Sequence, residues 1–586
     1  MVSSQLTTIA LFAALACACA PGVRRFPLAD PVWVDPDQNT VPERPAPYYS
    51  GLQADGADQM VLRPLAELFA FQDPGEAANA NAIDEVANSS WFTNRIGYYP
   101  MTEEEIARGP CPKEPIDIRG PWTVVEAKPN GFNPGFFIKD AQGNRYLLKA
   151  DGAQQPERNT AADVIGSRLY HAAGFEVPCY QIAYFDPRIL VVDPKAKVED
   201  SQGNERPIAK EDLDYVLSAC AKTKGGLVRA GLSLFVKGKP LGPFRYEGTR
   251  SDDPNDVIDH RDRRELRGAK VLAALLGHFD SREQNTLDVW VKKGTREFIQ
   301  HYYIDFGSSF GSRWPIDAVS RRLGFSYYFD AKDVFVDLLT LGLVRRPWDH
   351  VTINPGSEIF GYFESREFSV LDWKGGYANP TFERSTLRDL SWMARILARF
   401  SADQFRVMVE QGKLSDPRAE KWLTATLLER RQRIFEDVFT RSSPLDRFQI
   451  VRRTPGSATQ SLCFEDLAIE HDVVHPESVV YKMRFMGGEE LDKRLGWHQF
   501  SPDDEHPERA CIVLPIGYRR PSDLVTASTP PSDPLRYGVL KIFVHQAFTF
   551  LPASEIDVHF YDRGPEEGYV LVGIERPEKP VVPSDY

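Results

Sequence analysis

The residues best suited to chemistry lie between 276 and 307. Asp280 is followed five residues later by Asn285, and the triplet Asp305-Phe306-Gly307 comes after a segment that alternates like a β-hairpin over 286–304. Phosphoryl transfer needs a carboxylate near the attacking hydroxyl and oxygen ligands that hold Mg²⁺ against the phosphates. The segment therefore offers the chemical groups that a phosphotransferase site requires.

In order and spacing this segment resembles protein kinases and phosphoinositide kinases, whose pattern is Asp, four residues, Asn, a β-hairpin and then Asp-Phe-Gly. The resemblance implies that Asp280 is the catalytic base, and that Asn285 and Asp305 are ligands of Mg²⁺. It also implies that the phosphoryl donor is ATP. ATP and Mg²⁺ are thus the expected cofactors.

A β-hairpin with strands at 136–139 and 146–149 precedes a helical pattern at 161–173. The sequence 169–178, which closes that helix, resembles HipA-like and related secreted atypical kinases. The resemblance implies that Lys149 holds the nucleotide phosphates, although strand alternation also allows a surface lysine. The resemblance to these kinases covers about residues 119–440.

Two further parts of the nucleotide site are expected upstream. A turn with Gly131 and Gly135 lies where related kinases place the phosphate lid, although it is not a GxGxxG sequence. The acidic partner of Lys149 is either Asp163 or Glu157, and Thr160 to Asp163 reads equally as a helix capping box. We expect Gly131, Gly135, Lys149 and Asp163 to bind nucleotide.

Three other motifs are set aside. The sequence 260–262 spells His-Arg-Asp, but Arg267 stands five residues after Asp262 and cannot ligate a cation, so we place Asp262 in the first turn of a helix. The acidic run 252–256 lacks the ligand spacing of a calcium loop and is interpreted as a solvated turn. A hydrolase elbow at Ser309 is disfavoured because Pro315 follows closely, where a helix would have to begin.

The order of elements predicts an α+β fold. Strands followed by helices over 119–445 suggest a two-lobed kinase-like domain with a β-rich first lobe and a helical second lobe. Residues 446–586 alternate like strands between Pro, Asp and Gly turns, which predicts a β-sandwich or barrel. Short helical patterns occupy 59–118 as an N-terminal extension.

The N-terminus predicts export. Residues 1–20 carry an apolar stretch too short to span a bilayer, and Ala14-Leu15-Ala16-Cys17 resembles a bacterial lipobox. The resemblance implies acylation of Cys17, although Cys19 is close by, and a lipid anchor in a bacterial membrane at the periplasm or cell surface. Pro-rich residues 21–58 would form the tether.

The composition disfavours some classes of binding partner and metal. The 586 residues carry a net charge of −13, which disfavours binding to nucleic acid. Seven cysteines show no CxxC pattern and are too few for a disulfide framework in a chain of this length. The dispersed histidines show no zinc-binding spacing.

We therefore expect an exported atypical kinase that moves the γ-phosphoryl group of ATP to a hydroxyl of an unknown acceptor, which is a protein, a lipid headgroup or a glycan. The alternative is a catalytically silent kinase-like scaffold that binds a partner at the cell envelope. Asp280, Asn285 and Asp305 together argue for the enzyme, because a silent copy has no chemical need for the full set.

Overall fold

The computed structural model describes most of the chain. The predicted signal segment with Cys17, and Gly131 of the predicted phosphate lid, lie outside the described residues. Within the described ranges, every helix is too short or too polar to span a bilayer. The described ranges are 24–48, 56–67, 74–127, 134–199, 205–353, 359–452, 459–487, 498–502, 505–514, 525–526, 528–546, 553–564 and 566–577.

A mixed sheet of seven strands builds the first part of the body. Its order is β4-β7-β3-β2-β1-β5-β6, in which only β1 and β5 are parallel neighbours. Side chains alternate between the two faces, and one face carries an apolar core. The strands are β1 Trp122–Ala127, β2 Gly135–Lys139, β3 Arg145–Ala150, β4 Tyr180–Phe185, β5 Leu190–Glu199, β6 Glu205–Pro207 and β7 Val228–Leu234.

A second sheet of three strands carries the predicted hairpin. It contains β8 Lys239–Gly242, β9 Thr286–Lys293 and β10 Arg296–Tyr303 in the order β10-β9-β8. The tight turn between β9 and β10 includes Gly294 at a φ of 63°, a conformation that glycine adopts without steric cost. Thr286 pairs with Tyr303, so the residues just outside both strand ends lie next to each other.

Helices cover this framework and form the largest apolar core. The central helix α5 packs against α9 and α11, and the capping box of Thr386 and Asp389 fixes where α9 begins. The helices are α1 Arg63–Glu67, α2 Glu103–Arg108, α3 Arg158–Ala173, α4 Lys210–Ser218, α5 Arg264–Leu276, α6 Asp317–Arg322, α7 Ala331–Thr340, α8 Pro380–Glu383, α9 Leu387–Leu397, α10 Ala402–Glu410, α11 Pro417–Phe439 and α12 Leu467–Glu470.

Strands predominate again after residue 444. One sheet has the order β11-β12-β15 and the other the order β14-β13-β16-β17-β18. The predicted mixture of strands and helices is confirmed, while the two lobes, the separate β-sandwich and the domain boundaries stay predictions. The strands are β11 Leu445–Arg452, β12 Gln460–Asp466, β13 Val479–Gly487, β14 His498–Phe500, β15 Arg509–Leu514, β16 Tyr537–Gln546, β17 Ser554–Asp562 and β18 Tyr569–Glu575.

The Pro-rich segment differs from the expected free tether over residues 24–48. Phe26 and Val41 are buried, and the Val41 amide donates a hydrogen bond of 2.8 Å to the carbonyl oxygen of Glu297. The proline rings favour an extended backbone, and the apolar residues between them dock on the folded body. This part of the segment is therefore packed along the protein surface.

The cysteines also differ from the sequence interpretation. Cys111 and Cys179 form one disulfide, and Cys463 and Cys511 form another between neighbouring strands. The expectation that the chain lacks a disulfide framework is therefore wrong for these four residues. Their separations of 68 and 48 residues gave no local signal, because only tertiary folding brings the partners together.

A buried ion cluster joins distant parts of the chain. The Asp84 carboxylate contacts the guanidinium groups of Arg264, Arg388, Arg395 and Arg576, which come from α5, α9 and the end of the last sheet. Burial opposes ionisation of Asp84, but the four arginines outweigh it and hold its pKa well below the usual range. The cluster therefore links the N-terminal extension, the helices and the C-terminal strands.

We predict that Asp84→Asn destabilises the protein by about 3–5 kcal/mol, because the variant keeps the shape of the side chain but leaves buried guanidinium groups without their counter-charge. Urea unfolding at pH 7 measures the effect. Asp214→Asn, on the exposed face of α4, is the matched control. An Asp84 loss no larger than that of the control would contradict this role.

Candidate active site

The hairpin β9–β10 brings Asn285 and Asp305 together. A short 3₁₀ turn, Glu283–Asn285, leads into β9, and the Ile304 amide donates a hydrogen bond of 3.0 Å to the carbonyl oxygen of Asn285. The Asp305 amide donates to the Tyr180 hydroxyl at 3.0 Å, and Asp305 adopts a φ of 59°. This left-handed conformation is uncommon outside glycine, although aspartate tolerates it better than most residues.

Asp280 lies beside Asn285. The Asn285 side-chain nitrogen donates to the carbonyl oxygen of Asp280 at 2.7 Å and to its Oδ2 at 2.9 Å, while Arg282 Nε lies 3.0 Å from Oδ1. Burial raises the pKa of Asp280 to about 6, and Arg282 and Asn285 oppose that shift. A carboxylate with this pKa is ionised at neutral pH and is still basic enough to accept a proton.

Lys149 reaches the same place from β3. Its Nζ lies 2.7 Å from Asp305 Oδ1 and 3.5 Å from Asp163 Oδ2, and only 5% of its side chain is exposed. Burial acts to lower the pKa of Lys149, but the two carboxylates outweigh it and raise the pKa above its ordinary value. The alternative of a surface lysine is therefore excluded.

Asp163, rather than Glu157, is the partner of Lys149. Helix α3 begins at Arg158, so Asp163 lies in its second turn and does not cap the helix, while Glu157 Oε2 accepts a hydrogen bond from the Ser415 amide. Burial raises the pKa of Asp163 to about 6, an effect that Lys149 opposes. The helix therefore presents a buried acid to the lysine of the neighbouring strand.

Gly135 has a structural position. It pairs with Lys149 across β2 and β3, and a Cβ atom there would overlap the carbonyl oxygen of Leu148. Its neighbour Pro134 lines the cavity described next, whereas Gly135 itself is not among the lining residues. A direct role for Gly135 in nucleotide binding therefore stays a prediction.

A cavity of about 540 Å³ unites these groups. Lys149, Asp280, Asn285 and Asp305 all line it, whereas Asp163 lies behind Lys149 with 1% of its side chain exposed. Its remaining lining residues are Pro134, Gly152, Ala153, Gln154, Gln155, Arg158, Asn159, Ala219, Phe279, Arg282, Ser308, Ser312, Arg313, Trp314, Pro315, Tyr328 and Tyr377.

The donor groups of the cavity fit a hard divalent cation. Asp305 keeps 40% of its side chain exposed. The Asn285 side-chain nitrogen donates hydrogen bonds to Asp280, so the Asn285 side-chain oxygen is the atom that remains for a ligand. Carboxylate and amide oxygens are the ligands that Mg²⁺ and related cations prefer.

Sequence reasoning missed several residues of the cavity. Arg282 pairs with Asp280, and Arg158 donates to the carbonyl oxygens of Gly307 and Ser309, thereby fixing the loop after Asp305. The position of Arg282 two residues after Asp280 was a signal that could have been used. Arg158 gave none, because its contacts join residues about 150 positions apart.

The three motifs that the sequence excluded as functional sites have structural positions. Asp262 pairs with Arg267 and Arg384 just before α5 begins, and Ser309 is fully buried with no helix beginning there. The acidic run 252–256 differs from the expected solvated turn, since Asp256 is buried against His260 and Arg263. None of these groups lines the cavity.

One histidine does join a possible metal-binding group, which sequence spacing did not reveal. Asp557, His559 and Glu575 on β17 and β18 each place one ligand atom within 4.8 Å of the others. Lys541 Nζ, however, lies 2.5 Å from Asp557 Oδ2 and 2.8 Å from Glu555 Oε1. A buried ammonium therefore already balances part of the acidic charge.

Comparisons with known proteins add little. No protein-family model and no curated protein sequence matches the chain. The proinflammatory kinase CtkA of Helicobacter pylori is similar to it at 11% identity and a TM-score of 0.29, over 54% of this chain and 98% of CtkA. The Golgi casein kinase with Mn/ADP bound is similar at 9% identity and a TM-score of 0.26, over 69% of this chain and 95% of that kinase. These TM-scores are too low to assign the fold or the function of this chain from the two kinases.

We predict that Lys149→Met destabilises the protein by about 3–5 kcal/mol at pH 7, because the carboxylates of Asp163 and Asp305 lose their shared counter-charge. The loss should shrink towards pH 5. The pKa of Asp163 in the folded protein, about 6, is above that of an unfolded aspartate, so folding takes up a proton between the two values and stability falls as pH rises through the folded pKa.

Urea unfolding of both proteins from pH 5 to pH 8 tests this prediction. Without Lys149 the pKa of Asp163 is raised further, so the difference from the natural protein must grow with pH. Lys139→Met, on the exposed edge of the neighbouring strand, is the control and should show little change at any pH. A loss independent of pH would show that the cluster is not held together by charge.

Proposed function

We propose that the protein is an atypical kinase that transfers the γ-phosphoryl group of ATP to a hydroxyl of an acceptor molecule. The observation that carries the proposal is the convergence of Lys149, Asp280, Asn285 and Asp305 on one cavity. A carboxylate of raised pKa, a buried ammonium and two side chains with oxygen ligands are the groups that positioning and charge stabilisation in phosphoryl transfer require.

In this proposal Lys149 binds the phosphates of the nucleotide. Its ammonium is kept charged and in place by Asp163, which is itself buried and cannot reach the ligand. Asn285 and Asp305 would hold Mg²⁺ through side-chain oxygens, and the cation supplies charge neutralisation at the β- and γ-phosphates when bound. Asp305 would thereby exchange part of its contact with Lys149 for the cation.

Asp280 would orient the acceptor hydroxyl and accept its proton. Asn285 and Arg282 fix both of its carboxylate oxygens in place, so the group is positioned before a substrate arrives. The pKa of about 6 keeps Asp280 ionised at neutral pH. General base catalysis of this kind contributes about 10²- to 10⁴-fold in rate.

We further propose that the protein is exported and anchored to a bacterial membrane through Cys17. The lipobox-like sequence at 14–17 motivates this proposal. The two disulfides support it, because disulfides persist in oxidising compartments outside the cytosol. Mass spectrometry of Cys17 in protein from membranes tests the anchor, and an unmodified N-terminus would reject it.

We predict that Asp305→Ala abolishes Mg²⁺-dependent binding of ATP, and that Asp280→Ala removes transfer while sparing binding. Thermal shift with ATP and Mg²⁺ measures binding, since a ligand at 100 times its Kd stabilises the folded state by about 2.7 kcal/mol. Transfer of the labelled phosphoryl group from [γ-³²P]ATP to an acceptor or to water measures turnover. Asp214→Ala is the matched control, because this acid is exposed on α4 and lies outside the cavity.

Three results are informative. Binding that depends on Asp305, together with turnover that depends on Asp280, supports the kinase. Binding without turnover in the natural protein supports the silent scaffold instead. Unchanged binding and turnover in both variants would reject the proposed site.

A further inference from the structure

Aromatic side chains line one end of the cavity. Phe279, Trp314, Tyr328 and Tyr377, which we call the aromatic wall, lie against each other with ring centroids 5.1–6.5 Å apart. Phe279 is buried, but Trp314 is 44% exposed and both tyrosines are half-buried. Rings that are packed on one side and open to a cavity on the other are prepared to stack on a ligand.

The aromatic wall is tied to Asp280. The Gly376 amide donates a hydrogen bond of 2.6 Å to the carbonyl oxygen of Phe279, and the Tyr328 amide donates one of 2.9 Å to that of Gly376. Arg282, which forms an ion pair with Asp280, also lies 5.1 Å from the centre of the Tyr377 ring. The rings therefore border the carboxylate that we propose as the base.

Other lining residues lie close to Lys149. The Ala150 amide, next to Lys149, donates a hydrogen bond of 2.8 Å to the carbonyl oxygen of Pro134, and Gly152 forms a β-bridge with Cys220 beside Ala219. Pro134, Gly152 and Ala219 line the cavity there. The space between Asp280 and the aromatic wall is consequently left for the acceptor.

We infer that the acceptor is a saccharide, one of whose hydroxyls is phosphorylated; this inference rests on the proposed kinase function. Sugar rings offer a flat face of C–H groups that packs on aromatic rings and an edge of hydroxyls that needs hydrogen bonds. The aromatic wall supplies the first surface. Asp280 and Arg282 border the same space, and the cavity has further polar lining residues in Ser308, Ser312 and Arg313.

Other acceptor classes fit less well. Aromatic rings also bind quaternary ammonium groups, but the positive charge of the cavity lining exceeds the negative charge and disfavours a cation. The charged lining residues are Lys149, Arg158, Arg282 and Arg313 against Asp280 and Asp305. A serine or threonine side chain is by itself too small to cover the Trp314 side chain, 44% of which is exposed. A neutral or acidic saccharide satisfies both the rings and the guanidinium groups.

The reaction balances with ATP as the only co-substrate. The saccharide oxygen forms a bond to the γ-phosphorus while the bond from that phosphorus to the β,γ-bridging oxygen breaks. The hydroxyl proton goes to the Asp280 carboxylate, and ADP leaves. The sugar ring, stacked on the aromatic wall, would hold the hydroxyl in place for this step.

The test uses the full chain with [γ-³²P]ATP, Mg²⁺ and two sets of acceptors. One set contains methyl glycosides and short oligosaccharides of glucose, galactose, N-acetylglucosamine and glucuronic acid; the other contains serine, threonine and tyrosine peptides. We expect label on saccharides. Trp314→Ala and Tyr377→Ala should each raise the KM for the saccharide at least tenfold while the KM for ATP stays within twofold. Phe335→Ala, an exposed aromatic of α7 outside the cavity, is the matched control.

Saturation-transfer NMR with the same saccharides gives a second readout that needs no turnover, and the signals should be lost in Trp314→Ala. Label on peptides alone, label on no acceptor, or saccharide labelling that both aromatic variants leave unchanged would overturn the inference. ATP binding measured in parallel separates the two proposals. If Asp305-dependent binding is present while saccharides are not labelled, the acceptor assignment fails and nucleotide binding stands; if ATP does not bind, the proposed function itself fails.

Discussion

The charge balance around Lys149 is the constraint on which the site depends. One buried ammonium lies between a buried carboxylate, Asp163, and an exposed one, Asp305, so strand β3, helix α3 and the end of β10 must meet at one point. Isolated buried charges are costly, which makes this meeting point a strong structural requirement. The same requirement leaves Asp305 facing the cavity, where a bound cation would compete with Lys149 for its carboxylate.

A second set of buried charges holds that site in its surroundings. Asp84 ties α5, α9 and the end of the last sheet to the N-terminal extension. Helix α5 ends shortly before Asp280, and the extension packs against α3 through the shared apolar core. The described residues 74–118 of the extension are therefore part of the framework that positions the residues lining the cavity. The sequence alone did not indicate this structural role.

Local sequence was most informative where the chain itself sets the geometry. The spacing of Asn285 and Asp305 around a tight hairpin forces them together, and the hairpin forms over the expected residues. From the sequence, the acidic partner of Lys149 stayed open between Asp163 and Glu157. The residue at which α3 begins decides whether Asp163 caps the helix or pairs with Lys149, and the sequence pattern did not fix that residue. The aromatic wall and the disulfides could not be predicted, since tertiary packing brings together residues far apart in sequence, with no period to reveal them.

In the proposed kinase, one cavity binds the phosphates of a nucleoside triphosphate at Lys149 and its cation at Asn285 and Asp305, with the terminal phosphate directed towards Asp280. A crystal structure with Mg²⁺ and a non-hydrolysable ATP analogue tests it most directly. We predict phosphate oxygens bonded to Lys149 Nζ and a cation bound by Asn285 and Asp305. A nucleotide bound elsewhere, or a cavity without nucleotide at a saturating concentration of the analogue, would contradict the proposed nucleotide site.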